Sequence, residues 1–86
     1  MEVAFKSSFL RELRKLPKAL REEAIEKVEL FKDPENHGRL RIHKLSGALA
    51  GRMSFSVNYR YRIIFMWEKK NVSAILLAIG DHALYD

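Results

Sequence analysis

The stretch "RMSFSVNYRYRIIFMW" (residues 52–67) alternates polar and apolar side chains with a period of two. Successive side chains of a β-strand point to opposite faces, so this alternation predicts two neighbouring strands, 52–57 and 60–67. The apolar set of each strand would face a core and the polar set would face away from it. The stretch therefore predicts a sheet with one open, partly basic face.

The residues before this stretch have a different period. "VAF" (3–5) reads as a short strand, and Ser7 or Ser8 offers a hydroxyl cap for a helix that Pro17 ends. Apolar residues at helical spacing then predict a second helix over residues 18–32. Together the two segments predict a helical hairpin that covers one face of the sheet.

The remaining segments complete the predicted order. "DPENHG" (33–38) ends the second helix, and residues 39–43 alternate as a further strand. Residues 72–79 are apolar in both phases, which is typical of a central strand covered on both faces. The order β-α-α-β-β-β-β predicts an α+β fold, a single domain over residues 1–86, with the hairpin packed on one face of a mostly antiparallel, twisted sheet.

Composition excludes several classes of protein. The 86 residues include no cysteine, so neither a disulfide nor a thiolate zinc site is expected. The N-terminal segment lacks the apolar core of a signal peptide, and no apolar run approaches the roughly 20 residues of a membrane span. We expect a small cytoplasmic domain without a membrane segment or a cofactor.

The net charge of +5 is concentrated in the middle of the chain. Residues 34–66 hold six basic side chains and a single acid, Glu35. A positive stripe of this kind attracts phosphate groups or an acidic partner, although an ordinary solvated face has the same composition. The basic side chains are Arg39, Arg41, Lys44, Arg52, Arg60 and Arg62.

Strand alternation predicts that most of these side chains share the open face. Arginine suits such a site, because its planar guanidinium binds phosphate oxygens in pairs and stays charged. A face with several arginines, a histidine and two hydroxyls points to a phosphate-rich ligand. The expected set is Arg39, Arg41, His43, Arg52, Ser54, Ser56, Arg60 and Arg62, with Lys44 next to it.

Histidine is the residue available for proton transfer, because its pKa lies near neutral pH. The three histidines have no metal-ligand spacing, whereas RNA cleavage by the 2′-hydroxyl needs only a proton acceptor, a proton donor and positive charge. His82 follows the last strand and is either a catalytic group or a polar strand-end residue. His43 is the second candidate, with a structural hydrogen bond as the alternative, and His37 is expected to be solvated. Tyr85 could stack on a base, donate a proton or pin the tail.

Three segments carry a resemblance to a known family. "HKLSGALAGRMSFSVNYRYRIIF" (43–65) resembles the central segment of the RelE/ParE superfamily of bacterial type II toxins. "AIGDHALYD" (78–86) is similar to its closing motif, and "FKSSFLRELRKL" (5–16) to its opening helix. The resemblance covers nearly the whole chain.

This resemblance implies an endoribonuclease that cleaves mRNA, usually on the ribosome, and is held inactive by a cognate antitoxin. By position, Arg62 matches the arginine that stabilises the scissile phosphate, His82 the acid–base histidine of YafQ-like members, and Tyr85 the terminal aromatic. The chain departs from the pattern in having Ser54 and Ser56 where RelE-like enzymes have lysines. Arg60 stands near the place of an acidic residue of the YafQ-like site.

Two other functions remain open on the sequence. A ParE-like member would inhibit DNA gyrase without cleaving RNA, and a degenerate member would keep only the contact with the antitoxin. An exposed basic face suits an acidic or amphipathic antitoxin segment that folds on binding. Asp81 and Asp86 have no role in this interpretation.

Overall fold

Two helices and five strands follow one another in the order β1-α1-α2-β2-β3-β4-β5 in the computed structural model, which describes residues 1–81. Neither described helix is both long enough and apolar enough to cross a bilayer. The strands are Glu2–Phe5 (β1), His43–Lys44 (β2), Met53–Ser56 (β3), Tyr61–Lys69 (β4) and Ser73–Asp81 (β5), and the helices are Ser7–Arg14 (α1) and Lys18–Phe31 (α2).

The strands form one sheet in the spatial order β1-β5-β4-β3-β2. β1 runs parallel to β5, and the other three pairings are antiparallel. The structure therefore confirms the α+β fold with a mostly antiparallel sheet. β4 lies in the middle of the order, and β5 is the interior strand next to it rather than the central one.

The core lies between the two helices and one face of the sheet. Phe31 at the end of α2 is fully buried and stacks on Phe55 of β3 with ring centroids 4.4 Å apart. It also meets the edge of Phe65 of β4 at 4.8 Å. Each aromatic pair adds about 0.5–1.5 kcal/mol beyond the area it buries. The apolar phase of the 52–67 stretch thus faces the helices, as predicted, and its polar phase lies on the other face, called here the open face.

The prediction of a strand over residues 39–43 is wrong. The structure confines β2 to His43–Lys44, and residues 37–41 form turns. Arg41 adopts a φ of 54°, in the left-handed region, which breaks the alternation of an extended strand. Leu40 is nevertheless buried in the core, and its carbonyl accepts a hydrogen bond of 2.8 Å from Ser56 N. Arg39 and Arg41 therefore project from a turn, not from the face of a strand.

A β-bulge explains why residues 72–79 are apolar in both phases. Ile64 pairs with Ala78, whereas the next residue, Phe65, pairs with Leu76, so Leu77 is the extra residue of β5. The bulge changes the phase of the strand, and Leu76 and Ile79 both pack into the core although they are three residues apart. Side chains on the opposite face of β5 are only partly buried, so the predicted double cover is incomplete.

Two expectations for single residues are also corrected. Lys6 occupies the N-cap position of α1, and no side chain caps the helix. Ser8 Oγ instead donates to the Leu77 carbonyl at 3.3 Å. His37 is half-buried rather than solvated: its Nε2 lies 2.8 Å from the Phe31 carbonyl, and its ring stacks on the Phe31 ring at 5.0 Å. His37 is therefore a structural residue that fixes the turn after α2.

Candidate active site

Three polar side chains from three adjacent strands meet on the open face. His43 of β2 pairs with Ser54 of β3, and Arg62 of β4 lies diagonally across from Ser54. Arg62 Nη1 is 3.2 Å from Ser54 Oγ and 3.3 Å from His43 Nδ1. Ser54 Oγ is 3.5 Å from His43 Nε2, which closes a triangle of contacts. We call His43, Ser54 and Arg62 the polar triad.

The polar triad places a different partner beside each ring nitrogen of His43. A guanidinium can only donate hydrogen bonds, so Arg62 can bond to a lone pair on Nδ1. Nε2 lies towards Ser54, whose hydroxyl can donate or accept. Ser54 is fully buried, whereas His43 is exposed. The triad thus offers a protonatable ring and a fixed cation at the surface.

A cleft of about 420 Å³ extends from Arg62 towards α2. Four of its lining side chains are cationic, and none is acidic. A concave surface lined by charges of one sign concentrates the field and draws in counter-charged ligands. We call it the cationic cleft; its lining residues are Lys27, Arg39, Arg41, Ser56, Val57, Asn58, Tyr59 and Arg62.

Arg60 does not join the polar triad. Its Nε donates to Asp81 Oδ2 at 2.9 Å, which ties the start of β4 to the end of β5. This hydrogen bond, with the charge of Asp81, raises the pKa of Arg60 above its usual value. Asp81, for which the sequence suggested no role, therefore binds the arginine that was expected on the open face.

The other sequence-predicted residues divide into three groups. Arg39 and Arg41 line the cationic cleft, although they reach it from a turn. Lys44 and Arg52 are exposed and are not among its lining residues; Lys44 pairs with Met53 and so has the opposite phase to His43. The third group, His82, Tyr85 and Asp86, lies outside the described residues.

Sequence reasoning missed three polar residues of the cleft, besides the buried Val57. Lys27 comes from α2, whose charged side chains were interpreted as a solvated surface. It reaches the cleft because α2 lies next to the turn of the β3–β4 hairpin, where Asn58 bonds to Glu23. Asn58 and Tyr59 form the tip of that hairpin. The predicted strands 52–57 and 60–67 already leave the dipeptide "NY" as the turn, so only its place beside the cleft was missed.

Side chains of α1 hold the last part of β5 where β1 no longer accompanies it. β1 ends at the pair Phe5–Leu76. Beyond this pair, Ser8 Oγ donates to the Leu77 carbonyl, and Glu12 accepts a hydrogen bond of 3.1 Å from the backbone N–H of Ile79. These contacts fix the strand that places Gly80 opposite Arg62.

No protein-family model and no curated protein matches the sequence. The fold, however, matches solved toxin structures. The toxin–antitoxin complex RelBE2 from Mycobacterium tuberculosis matches with a TM-score of 0.73 and 22% identity over 94% of this chain and 96% of that one.

Two further structures match in the same way. The archaeal RelE–RelB complex from Pyrococcus horikoshii has a TM-score of 0.71 and 19% identity over 93% of this chain and 92% of that one. YafQ from Escherichia coli has a TM-score of 0.65 and 11% identity over 96% of this chain and 94% of that one. In each comparison the similarity spans nearly the full length of both chains. The chain therefore has the fold of the RelE, YafQ and related toxins of toxin–antitoxin modules.

Proposed function

We propose that this protein is the toxin of a type II toxin–antitoxin module and a metal-independent endoribonuclease that cleaves ribosome-bound mRNA in the cytoplasm. The observation that carries the proposal is the polar triad, which lies at the end of a cationic cleft on a fold shared with such toxins. The triad provides a fixed positive charge beside a histidine that can exchange a proton. Cleavage of RNA through its own 2′-hydroxyl requires both groups and no metal ion.

Arg62 would stabilise the charge that develops on the phosphate. The 2′-oxygen forms a bond to phosphorus while the bond from phosphorus to the 5′-oxygen breaks, and negative charge accumulates on the other phosphate oxygens. A guanidinium already held by two acceptors, His43 and Ser54, loses little freedom when it binds these oxygens. Removal of a donor of this kind costs about 10²- to 10³-fold in rate.

His43 would accept the proton of the 2′-hydroxyl. In the structure Arg62 Nη1 lies 3.3 Å from its Nδ1. A substrate phosphate oxygen that replaces Nδ1 as the acceptor, while Arg62 stays in place on Ser54, would leave Nδ1 able to accept the proton. The substrate therefore activates the base by binding the neighbouring cation.

His82 and Tyr85 are proposed for the other half of the reaction. The resemblance to YafQ-like toxins assigns an acid–base role to His82. As the acid, His82 would donate a proton to the leaving 5′-oxygen, which balances the proton that His43 takes from the 2′-hydroxyl. His82 follows Gly80 by two residues in the sequence, and Gly80 pairs with Arg62. Tyr85 would stack on a base or donate a proton. The products are a 2′,3′-cyclic phosphate and a 5′-hydroxyl.

An antitoxin is the proposed protein partner. The Mycobacterium tuberculosis and Pyrococcus horikoshii structures are complexes of toxins with antitoxins. In this chain the cationic cleft offers charge for an acidic or amphipathic segment that folds on binding. Such a segment would neutralise the toxin by occupying the site of the RNA.

Induced expression in bacteria tests the proposal, with primer extension on translated mRNA and a gyrase supercoiling assay as readouts. We expect growth arrest, cleavage within mRNA and normal supercoiling from the wild type. The Arg62→Ala variant should lose cleavage and arrest, whereas Arg11→Ala, which removes an exposed arginine of α1, should keep both. Inhibition of gyrase with intact mRNA would contradict the proposal and favour a ParE-like toxin. Normal growth with intact mRNA would also contradict it and leave a module that only binds an antitoxin.

A further inference from the structure

Tyr59 lies at the rim of the cationic cleft with 95% of its surface exposed. A tyrosine in that position contributes almost nothing to the core, and water covers both faces of its ring. Exposed aromatic rings beside a cationic groove are the usual platforms on which the bases of single-stranded nucleic acids stack. The position of Tyr59 therefore suggests a contact with ligand.

The hairpin that carries Tyr59 is held firmly, so the ring is presented by an ordered turn. Asn58 Oδ1 accepts hydrogen bonds of 2.8 Å from the backbone N–H groups of Arg60 and Tyr61. Asn58 Nδ2 donates to Glu23 Oε1 of α2 at 2.6 Å. The Val57 N–H adds a 2.9 Å bond to the Tyr61 carbonyl. A turn whose backbone is held in advance costs less entropy when a ligand binds.

Other lining residues of the cleft carry the charges that a phosphate needs. Lys27 is 26% exposed, and its nearest acid, Glu26, is 3.6 Å away. Arg41 lines the same cleft from a backbone with a φ of 54°. A left-handed conformation at a residue other than glycine costs free energy and is concentrated at functional sites. The volume of about 420 Å³ lies within the range of about 300–1,000 Å³ for small-ligand sites.

We propose that the cationic cleft is a subsite for a nucleotide that flanks the scissile phosphate. Its base stacks on Tyr59, and its phosphate binds Lys27 and Arg41. This inference rests on the proposed function, because Arg62 belongs to both the cleft and the polar triad. Stacking tolerates every base, so the subsite holds the strand in register and prefers purines only modestly.

Fluorescence anisotropy with the full chain tests the subsite. The probe is a fluorescein-labelled hexaribonucleotide with 2′-O-methyl riboses, which binds but cannot be cleaved. We expect Tyr59→Ala to weaken binding about tenfold, the usual size of one base–aromatic contact, and Tyr59→Trp to preserve it. Tyr59 is almost fully exposed, so the substitution leaves the core intact. Lys70→Gln, which removes an exposed cation of the β4–β5 turn, should bind as the wild type does.

An abasic scan of the probe separates stacking from indirect effects. Removal of one particular base should weaken binding to the wild type by about as much as Tyr59→Ala does, and the two changes together should weaken it no further. Lys27→Gln should lower the slope of log affinity against log salt by about 0.7, the value for one phosphate contact with a single strand. Lys70→Gln should leave this slope unchanged.

The outcomes distinguish the inference from the proposed function. If the wild type binds the probe and Tyr59→Ala binds equally well, the subsite is overturned while the nuclease proposal stands. If the wild type neither binds the probe nor cleaves mRNA, both are overturned. A poly-glutamate peptide is the comparison ligand: peptide binding that depends on Tyr59, without RNA binding that does, would assign the cleft to an acidic protein segment and overturn the subsite.

Discussion

Arg62 Nη1 lies within hydrogen-bond distance of both Ser54 Oγ, at 3.2 Å, and His43 Nδ1, at 3.3 Å. One nitrogen of the guanidinium thus contacts both a buried hydroxyl and an exposed imidazole. If His43 is the base, as proposed, the position of the Arg62 cation affects its ability to accept a proton. A phosphate bound by Arg62 would then change the surroundings of both groups.

Ser54 acts in this account by holding Arg62. Ser54→Ala removes the hydroxyl that accepts a hydrogen bond from Arg62, and water can take its place at the partly exposed guanidinium. We expect a loss of roughly fivefold to tenfold in kcat for mRNA cleavage, in line with about 1 kcal/mol for one hydrogen bond. The control is Ser7→Ala, which removes an exposed hydroxyl of α1. Equal effects of the two substitutions on kcat would contradict the role of Ser54.

His43 is the proposed proton acceptor, and His82 the proposed donor. His43→Gln keeps a side chain that can accept a hydrogen bond from Arg62 but cannot carry the proton. We expect cleavage to fall about 10²- to 10⁴-fold and the low-pH limb of the pH–rate profile to disappear. His82→Gln should instead remove the high-pH limb. Profiles of kcat against pH check both assignments, and an unchanged low-pH limb in His43→Gln would exclude His43 as the base.

Glu12 is expected to support the strand that faces Arg62. Glu12→Ala leaves the N–H of Ile79 without its partner in a half-buried place, which should cost about 1–3 kcal/mol in the free energy of unfolding. Glu12→Gln, whose amide oxygen can accept the same bond, should recover most of this loss. Hydrogen exchange of the Ile79 amide is the direct readout. Unchanged protection in Glu12→Ala would contradict the contact.

The periodicity of residues 52–67 was sufficient to predict two strands and their apolar and polar faces, because β3 and β4 pair with each other without a register shift. Arg41 shows why the prediction for residues 39–43 failed. Its left-handed φ is set by the burial of Leu40 and the bond from Ser56 to the Leu40 carbonyl, which are contacts between distant segments. Local alternation carries no information about such contacts.

The sequence likewise predicted the positions of some residues of the site and not of others. Alternation placed Ser54 and Arg62 on one face, and the structure brings them into contact. Arg60 obeys the same alternation but turns to Asp81, since an oppositely charged side chain on β5 lies within reach. Lys27 could not be assigned from sequence, because its place in the cleft depends on how α2 lies next to the β3–β4 turn.

Single-turnover cleavage of an mRNA in a reconstituted translation system tests the central claim most directly. The wild type and the Arg62→Ala variant are compared at equal protein concentration, with cleavage sites mapped by primer extension and Arg11→Ala as the control. We predict cleavage by the wild type and by Arg11→Ala, and a rate at least about 10²-fold lower for Arg62→Ala. Cleavage by Arg62→Ala at the wild-type rate would contradict the assignment of the polar triad as the catalytic centre.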